Sequence, residues 1–170
     1  MPVTLAQLNA ADVAHFTATL GHLFEHSPWV GERTWPHRPF TDTKQLHAAL
    51  CAKMHAATPA LQLALIRAHP DLAGRLAQLH QLTAESTREQ ASAGLDRLEP
   101  EQLAEFNRLN TAYTAKFGFP FIICARLNAR AAILTAMRTR SGNPPDAEFA
   151  TALTEVEKIA WLRLQDTVSR

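Results

Sequence analysis

Four short stretches of this chain hold residue types whose spacing supports chemistry. The first is HLFEH at 22–26, which matches the H-x-x-E-H pattern of one class of zinc peptidases. On a helix, His22 and His26 share a face one turn apart, which suits two zinc ligands, with Glu25 between them. The alternative is a solvated helix end just before Ser27-Pro28, and spacing marks no third ligand. The second is ESTREQ at 85–90, where Ser86-x-x-Glu89 reads as a capping box. A helix start of that kind also offers free N–H donors to a carboxylate or urea-like ligand. The third is RAHPDLAG at 67–74, which puts His69 beside Pro70 at a corner between two helices. An imidazole there is either a packed corner residue or a general acid/base poised near neutral pH. The fourth is KFGFPFIICAR at 116–126, an extended apolar segment after a helix. Its backbone groups need partners, so it is either a buried connection or a ligand wall made from main chain.

These residues need a scaffold, and the pattern of the chain predicts a helical one. Asp12 caps a helix over 12–25 with Val13, Phe16, Leu20, Leu23 and Phe24 on its apolar side. Residues 27–41, rich in Pro and aromatics, read as a loop that packs on the surface or borders a pocket. Thr41 or Asp42 starts a helix to about 57, and Pro59 opens an almost wholly apolar one that ends at His69. Further helices are expected over 71–82, 86–93 and 100–117, the last stopped by Gly118 and Pro120. Two more follow, one begun by Asn128 and ended near Arg140, the other capped by Asp146 and running to about 168. The sum is eight or nine helices and no significant sheet.

Composition agrees. Of 170 residues, 30 are Ala and 22 are Leu, while Val and Ile together supply 10 and Gly 6. Ala and Leu favour helices and β-branched residues favour strands, so the fold class expected is all-α, as one domain over 1–170. A net charge of +1 gives no basic stripe for nucleic acid. The apolar run FPFIICA at 119–125 is far too short to span a bilayer. The two cysteines, Cys51 and Cys124, form no CxxC pair and suggest a reducing compartment. With no signal-like N-terminus, the expectation is a soluble, cytoplasmic protein.

Taken together and in order, HSPWV (26–30), RAHPDLAG (67–74), LTAESTREQASAGLDRL (82–98), LNTAYTAKFGFPFIICARLN (109–128) and ILTAMRTR with Asn143 resemble one family. It is the 2-oxo-4-hydroxy-4-carboxy-5-ureidoimidazoline (OHCU) decarboxylases of urate degradation. The resemblance covers nearly the whole chain. It implies an all-α homodimer that works without metal or organic cofactor and yields (S)-allantoin and CO2. It implies that His69 is the catalytic acid/base, with Glu89 orienting the imidazole or the substrate. Pro70, Ser86, Thr87, Arg88, Glu89 and Gln90 would line the substrate, with the backbone of Phe121, Ile122, Ile123, Cys124 and Ala125. Arg140 and Arg163 are the candidates for neutralising its carboxylate or ring oxygens. Two readings from other classes stand beside this one. A zinc hydrolase on His22, Glu25 and His26 requires bound metal, and a non-catalytic helical binding module shows no turnover.

Overall fold

Local signals set several of the helix boundaries among the described residues, and the sum is an all-α architecture. The computed structural model describes residues 2–74, 77 and 80–169. Among these lie nine α-helices: α1 Leu5–Ala10, α2 Val13–Leu20, α3 Trp29–Thr34, α4 Thr43–His55, α5 Pro59–Ala68, α6 Ala84–Ser92, α7 Pro100–Phe117, α8 Arg130–Arg140 and α9 Pro145–Thr167. Short 3-10 turns cover Trp35–His37 and Ala125–Leu127. The one pairing of strands is two residues long: β1 Val3–Thr4 runs parallel to β2 Val168–Ser169. Of the helix expected over 71–82, residues 75, 76, 78 and 79 lie outside the described residues; residue 77 is helical, while 71–74 and 80–82 are turns or irregular chain.

The chain packs as two compact units. The first comprises Met1–Ala68 and Glu157–Arg170. Its core is Leu8, Phe16, Leu20, Leu23, Phe24, Val30, Leu46, Leu50, Met54 and Leu65. Asp12 caps α2 as expected, accepting from the His15 N–H at 2.7 Å. Asp42 caps α4 in the same way through the Gln45 N–H at 2.8 Å. The helix expected over 12–25, however, stops at Leu20. Gly21 follows with so little room that a Cβ there would meet the Thr17 carbonyl oxygen at 2.8 Å. Residues 21–26 are turns, and His26 takes a positive φ of 47°.

The expected loop at 27–41 holds α3 and a 3-10 turn instead. Its remainder is pinned to α1 by contacts distant in sequence. The Trp35 indole and the Arg38 guanidinium both donate to the Ala11 carbonyl, at 3.0 and 2.5 Å. The Asn9 side chain pairs with both backbone groups of Phe40, at 2.8 and 2.9 Å. The peptide bond before Pro39 is cis.

The second unit spans His69–Val156. It contains α6, α7, α8, the start of α9 and the extended stretch 119–124. Helix α7 ends on Gly118, whose φ of 75° suits a residue without Cβ and lets its N–H reach the Thr114 carbonyl at 2.8 Å. Tyr113 of α7 then gathers Phe117, Phe119 and Phe121 around its ring, at centroid distances of 4.6, 6.0 and 5.2 Å. Aromatic clusters of this kind add to area burial when the rings meet edge to face, as Tyr113 and Phe121 do at 89°.

Three helix starts differ from expectation. Helix α6 begins at Ala84, and its cap is Thr83, whose Oγ1 accepts from the Ser86 N–H at 3.2 Å. Ser86 is therefore inside the helix and buried, not the cap. Asn128 is extended and spends its side chain on the Cys124 carbonyl at 2.9 Å, while α8 starts two residues later. Asp146 sits in the first turn of α9, behind Pro145. Replacing Thr83 by Ala should therefore destabilise the fold by about 1 kcal/mol in urea unfolding. Ser86→Gly should not show the small loss that a cap-to-Gly change gives, but the larger loss of an interior helix position.

Candidate functional site

The 69–74 corner is held in the second unit by two neutral side chains. His69 follows the last residue of α5 directly and is buried, 7% exposed. Beyond Pro70 the chain turns through Ala73, whose φ is 51°. The Gln90 carboxamide closes this turn from α6. Its oxygen accepts from the Ala73 N–H at 2.9 Å and its nitrogen donates to the Asp71 carbonyl at 3.3 Å. Asn110 of α7 donates to the Leu72 carbonyl at 2.9 Å. Burial raises the Asp71 carboxyl above its ordinary pKa.

Helix α6 also packs on the Ala125–Leu127 turn, so one helix touches both the histidine corner and the end of the extended stretch. Its inward face carries Ser86 and Gln90, both buried, with Glu89 half-buried beside them. Glu89 is near enough for its charge to act on Cys124. The Cys124 thiol is pushed up to about 11, first by burial, then by Glu155 and Glu89. Thr87 and Arg88 face outward. Thr87 Oγ1 donates back to the Thr83 carbonyl, and Arg88 lies 3.5 Å from Glu85 on the same helix.

The extended stretch is gripped by two ionic side chains. Phe121, Ile122, Ile123, Cys124 and Ala125 are all buried. Arg140, the last residue of α8, donates to the Ile122 carbonyl at 2.8 Å and lies over the Phe121 ring at 4.3 Å. Glu155 of α9 accepts from the Cys124 N–H at 2.8 Å. Arg140 is itself held by Glu148, its Nε 2.8 Å from Oε1. Glu148 has no exposure and also accepts from the Tyr113 hydroxyl and, at 2.9 Å, from Asn143.

The structure thus gathers the 69–73 corner, Ser86, Glu89, Gln90 and the 121–125 backbone within one unit. Arg163 belongs to the other unit. It is buried there, donating from Nη1 to Glu25 at 2.9 Å and to the His22 carbonyl at 2.8 Å. That pairing bears on HLFEH. The helix a two-histidine zinc site needs has already ended, Glu25 is engaged by a guanidinium, and His22 Nε2 is 2.9 Å from Thr167 Oγ1. Among the described residues no three His, Cys, Asp or Glu side chains gather as metal ligands.

Sequence reasoning passed over Glu148, Glu155, Asn110 and Tyr113. A signal was present for the two acids. They fall on one helical stripe with Ala152 and Val156, and all four are buried.

Comparison with known proteins decides the family. The OHCU decarboxylase profile matches residues 9–165. The chain belongs to the OHCU decarboxylase family. It is therefore a carboxy-lyase, a carbon–carbon bond-breaking enzyme. The 2-oxo-4-hydroxy-4-carboxy-5-ureidoimidazoline decarboxylase of Halalkalicoccus jeotgali is 44% identical over 169 residues, 99% of this chain and 94% of that protein. The protein of the same name from Amia calva is 42% identical over 164 residues, 96% and 94% of the two chains. A crystal structure of (S)-allantoin synthase superposes with a TM-score of 0.78 at 31% identity, over 99% of this chain. This chain spans about half, 54%, of that synthase.

The thiols give a test of this packing. Cys51 is pushed up to about 12, mainly by burial and then by Glu157, and Cys124 to about 11. Both should resist a thiol-directed disulfide reagent in the native protein at mildly alkaline pH and react on unfolding. A folded-state thiol pKa above the ordinary 9.0 favours folding fully below that value and loses its contribution as pH rises through 11 to 12. Stability measured by urea unfolding should therefore stay flat up to pH 9 as far as these thiols matter. It should decline above that, and Cys51→Ala with Cys124→Ala should shallow the alkaline slope.

Proposed function

We propose that this chain decarboxylates 2-oxo-4-hydroxy-4-carboxy-5-ureidoimidazoline to (S)-allantoin and CO2 in urate degradation. The observation that supports it most is the gathering of the histidine corner, the inner face of α6 and the 121–125 backbone in one unit of a chain of this family.

The chemistry asks little of a cofactor. The bond from the hydroxyl-bearing carbon to the carboxylate breaks, its electron pair forms a C=C bond to the ureido carbon, and the pair of the ring C=N moves onto the ring nitrogen, which takes up a proton from water. The product of that step is an enol, with the 4-hydroxyl on one carbon and the ureido group on its neighbour. A proton must then reach the ureido carbon on one face while the hydroxyl loses its own. One imidazole can do both, because its pKa lies near neutrality and each nitrogen accepts or donates in turn. We assign that relay to His69. Glu89 orients the ring or the substrate. Ser86 and Gln90 offer polar contacts to the ureido and ring groups, and the buried backbone of 121–125 excludes water from the reacting carbon. Pro70 lines the wall next to the imidazole.

Thr87 and Arg88 keep a place in this reading only at the rim, given their exposure. We further propose a homodimer, as the resemblance implies, and a cytoplasmic setting, supported by two free, buried cysteines.

Freshly formed substrate decays unaided to racemic allantoin, so the handedness of the product is the decisive readout. Wild-type protein should drive optical rotation towards the (S) enantiomer. His69→Ala should fold with an unchanged circular dichroism spectrum and lose stereoselective turnover by at least about 100-fold, the low end of acid/base contributions. A folded His69→Ala that still gives (S)-allantoin at the wild-type rate would remove His69 from the mechanism.

A further inference from the structure

In extended backbone, the N–H and C=O of one residue point to the same edge, and those of its neighbours point to the other. Along 122–124 one edge is taken by charge. Arg140 donates to the Ile122 carbonyl at 2.8 Å, and Glu155 accepts from the Cys124 N–H at 2.8 Å. The edge between them belongs to Ile123. Among the described residues its N–H and C=O have no hydrogen-bond partner, although the residue is only 8% exposed. The backbone groups of a residue this little exposed are usually paired, so an edge left open is suited to a ligand.

The two grips also act on Ile123 electronically. The Ile122 carbonyl and the Ile123 N–H are ends of one peptide unit. Drawing electron density to the oxygen with a guanidinium makes that N–H a stronger donor. The Ile123 carbonyl and the Cys124 N–H are ends of the next unit. A carboxylate accepting from that N–H makes the Ile123 oxygen a stronger acceptor. Hydrogen bonds in chains polarise one another in this sense, more so where the local dielectric is low. Charge-assisted bonds are the stronger ones to begin with.

We propose that Arg140 and Glu155 are positioning residues that fix and polarise the Ile123 N–H and C=O as a matched donor–acceptor pair, which reads an amide edge (–NH–C=O) of the substrate. This rests on the reading under Proposed function and adds what that site selects for. The ring lactam and the ureido group each present such an edge. A carboxylate or an ester, which lacks the N–H, satisfies only half of the pair. Neither Arg140 nor Glu155 needs to touch the substrate. Glu148 orients Arg140 in turn, with Asn143 and Tyr113 completing its carboxylate.

The sequence makes this testable one peptide at a time. Ile-Ile occurs once, at 122–123, and Ile-Cys once, at 123–124. Protein labelled with 13C-carbonyl, 15N-isoleucine and 15N-cysteine should give two carbonyl-correlated amide peaks, one for each peptide unit. Adding (S)-allantoin to the wild type should shift both. Glu155→Gln keeps an acceptor oxygen but removes the charge, and should move the Cys124 amide proton upfield without ligand. Arg140→Lys keeps the charge but not the fork, and should do the same to the Ile123 amide. Each variant should lower kcat/KM about tenfold, the difference between a charged and a neutral hydrogen bond, with the loss mostly in KM.

Unmoved peaks in the variants, or no shift on adding (S)-allantoin to an active wild type, would overturn the inference and leave decarboxylation standing. Absence of stereoselective turnover in the wild type would instead remove the proposed function, while the allantoin-induced shifts would still decide whether Ile123 reads an amide. If Glu155→Gln fails to fold, Arg140→Lys and the wild-type titration carry the test alone.

Discussion

A carboxylate sealed from water must be met by donors, and much of the second unit is arranged around one such group. Glu148 has no solvent exposure, and Tyr113, Arg140 and Asn143 converge on it. Removing a charge from water costs several kcal/mol unless partners of good geometry replace the solvent. Those partners come from three places in the chain. Tyr113 brings in α7, Arg140 ends α8, and Asn143 lies in the turn before α9. The guanidinium that neutralises Glu148 then extends to the Ile122 carbonyl and the Phe121 ring. The extended stretch is thus tied at Ile122 to the neutralising of one buried acid, while Glu155 holds it at Cys124. The aromatic rings around Tyr113 fill the space that this arrangement leaves.

The histidine corner is fixed by different means. Gln90 and Asn110 are neutral amides, and each satisfies backbone groups that a non-helical turn would otherwise leave bare. Neutral pinning suits the relay proposed for His69. An amide holds geometry without adding a fixed charge beside the imidazole. Glu89 and Glu155 act on Cys124 and help keep its thiol protonated.

What the sequence reveals depends on how local the cause is. Asp12, Asp42 and Gly118 act within one turn of chain, and their roles are readable from spacing alone. Ser86 misleads because Thr83 three residues earlier is an equally competent cap, and only packing decides which hydroxyl turns inward. The stretch 27–41 reads as a loop because α3 is six residues long and the rest is held from α1, through Asn9 and the Ala11 carbonyl. No periodicity within the segment encodes those partners. The candidate site divides the same way. Its members were legible as motifs, RAHPDLAG and FGFPFIICA, because they interrupt helices. Their supports were harder to read: Glu148 and Glu155 share a helical stripe with Ala152 and Val156, but only burial shows that this stripe faces inward, and Asn110 looks like an ordinary polar residue of a long helix.

The two arginines considered for the substrate carboxylate share one property. Arg140 is committed to Glu148, and Arg163 to Glu25. An arginine paired with a buried acid still donates hydrogen bonds, but the pair carries no net charge with which to stabilise a second anion at a distance. For most carboxylate ligands that would be a weakness. For a decarboxylation the sign of the argument reverses. The substrate begins with charge concentrated on the carboxylate and reaches the transition state with that charge spread into the ring. A cation fixed on the carboxylate would favour the starting state more than the transition state, and only interactions stronger in the transition state accelerate the reaction. The Arg140 guanidinium, already neutralised by Glu148, holds the Ile122 carbonyl in place and adds no unpaired cation that would act as such a brake.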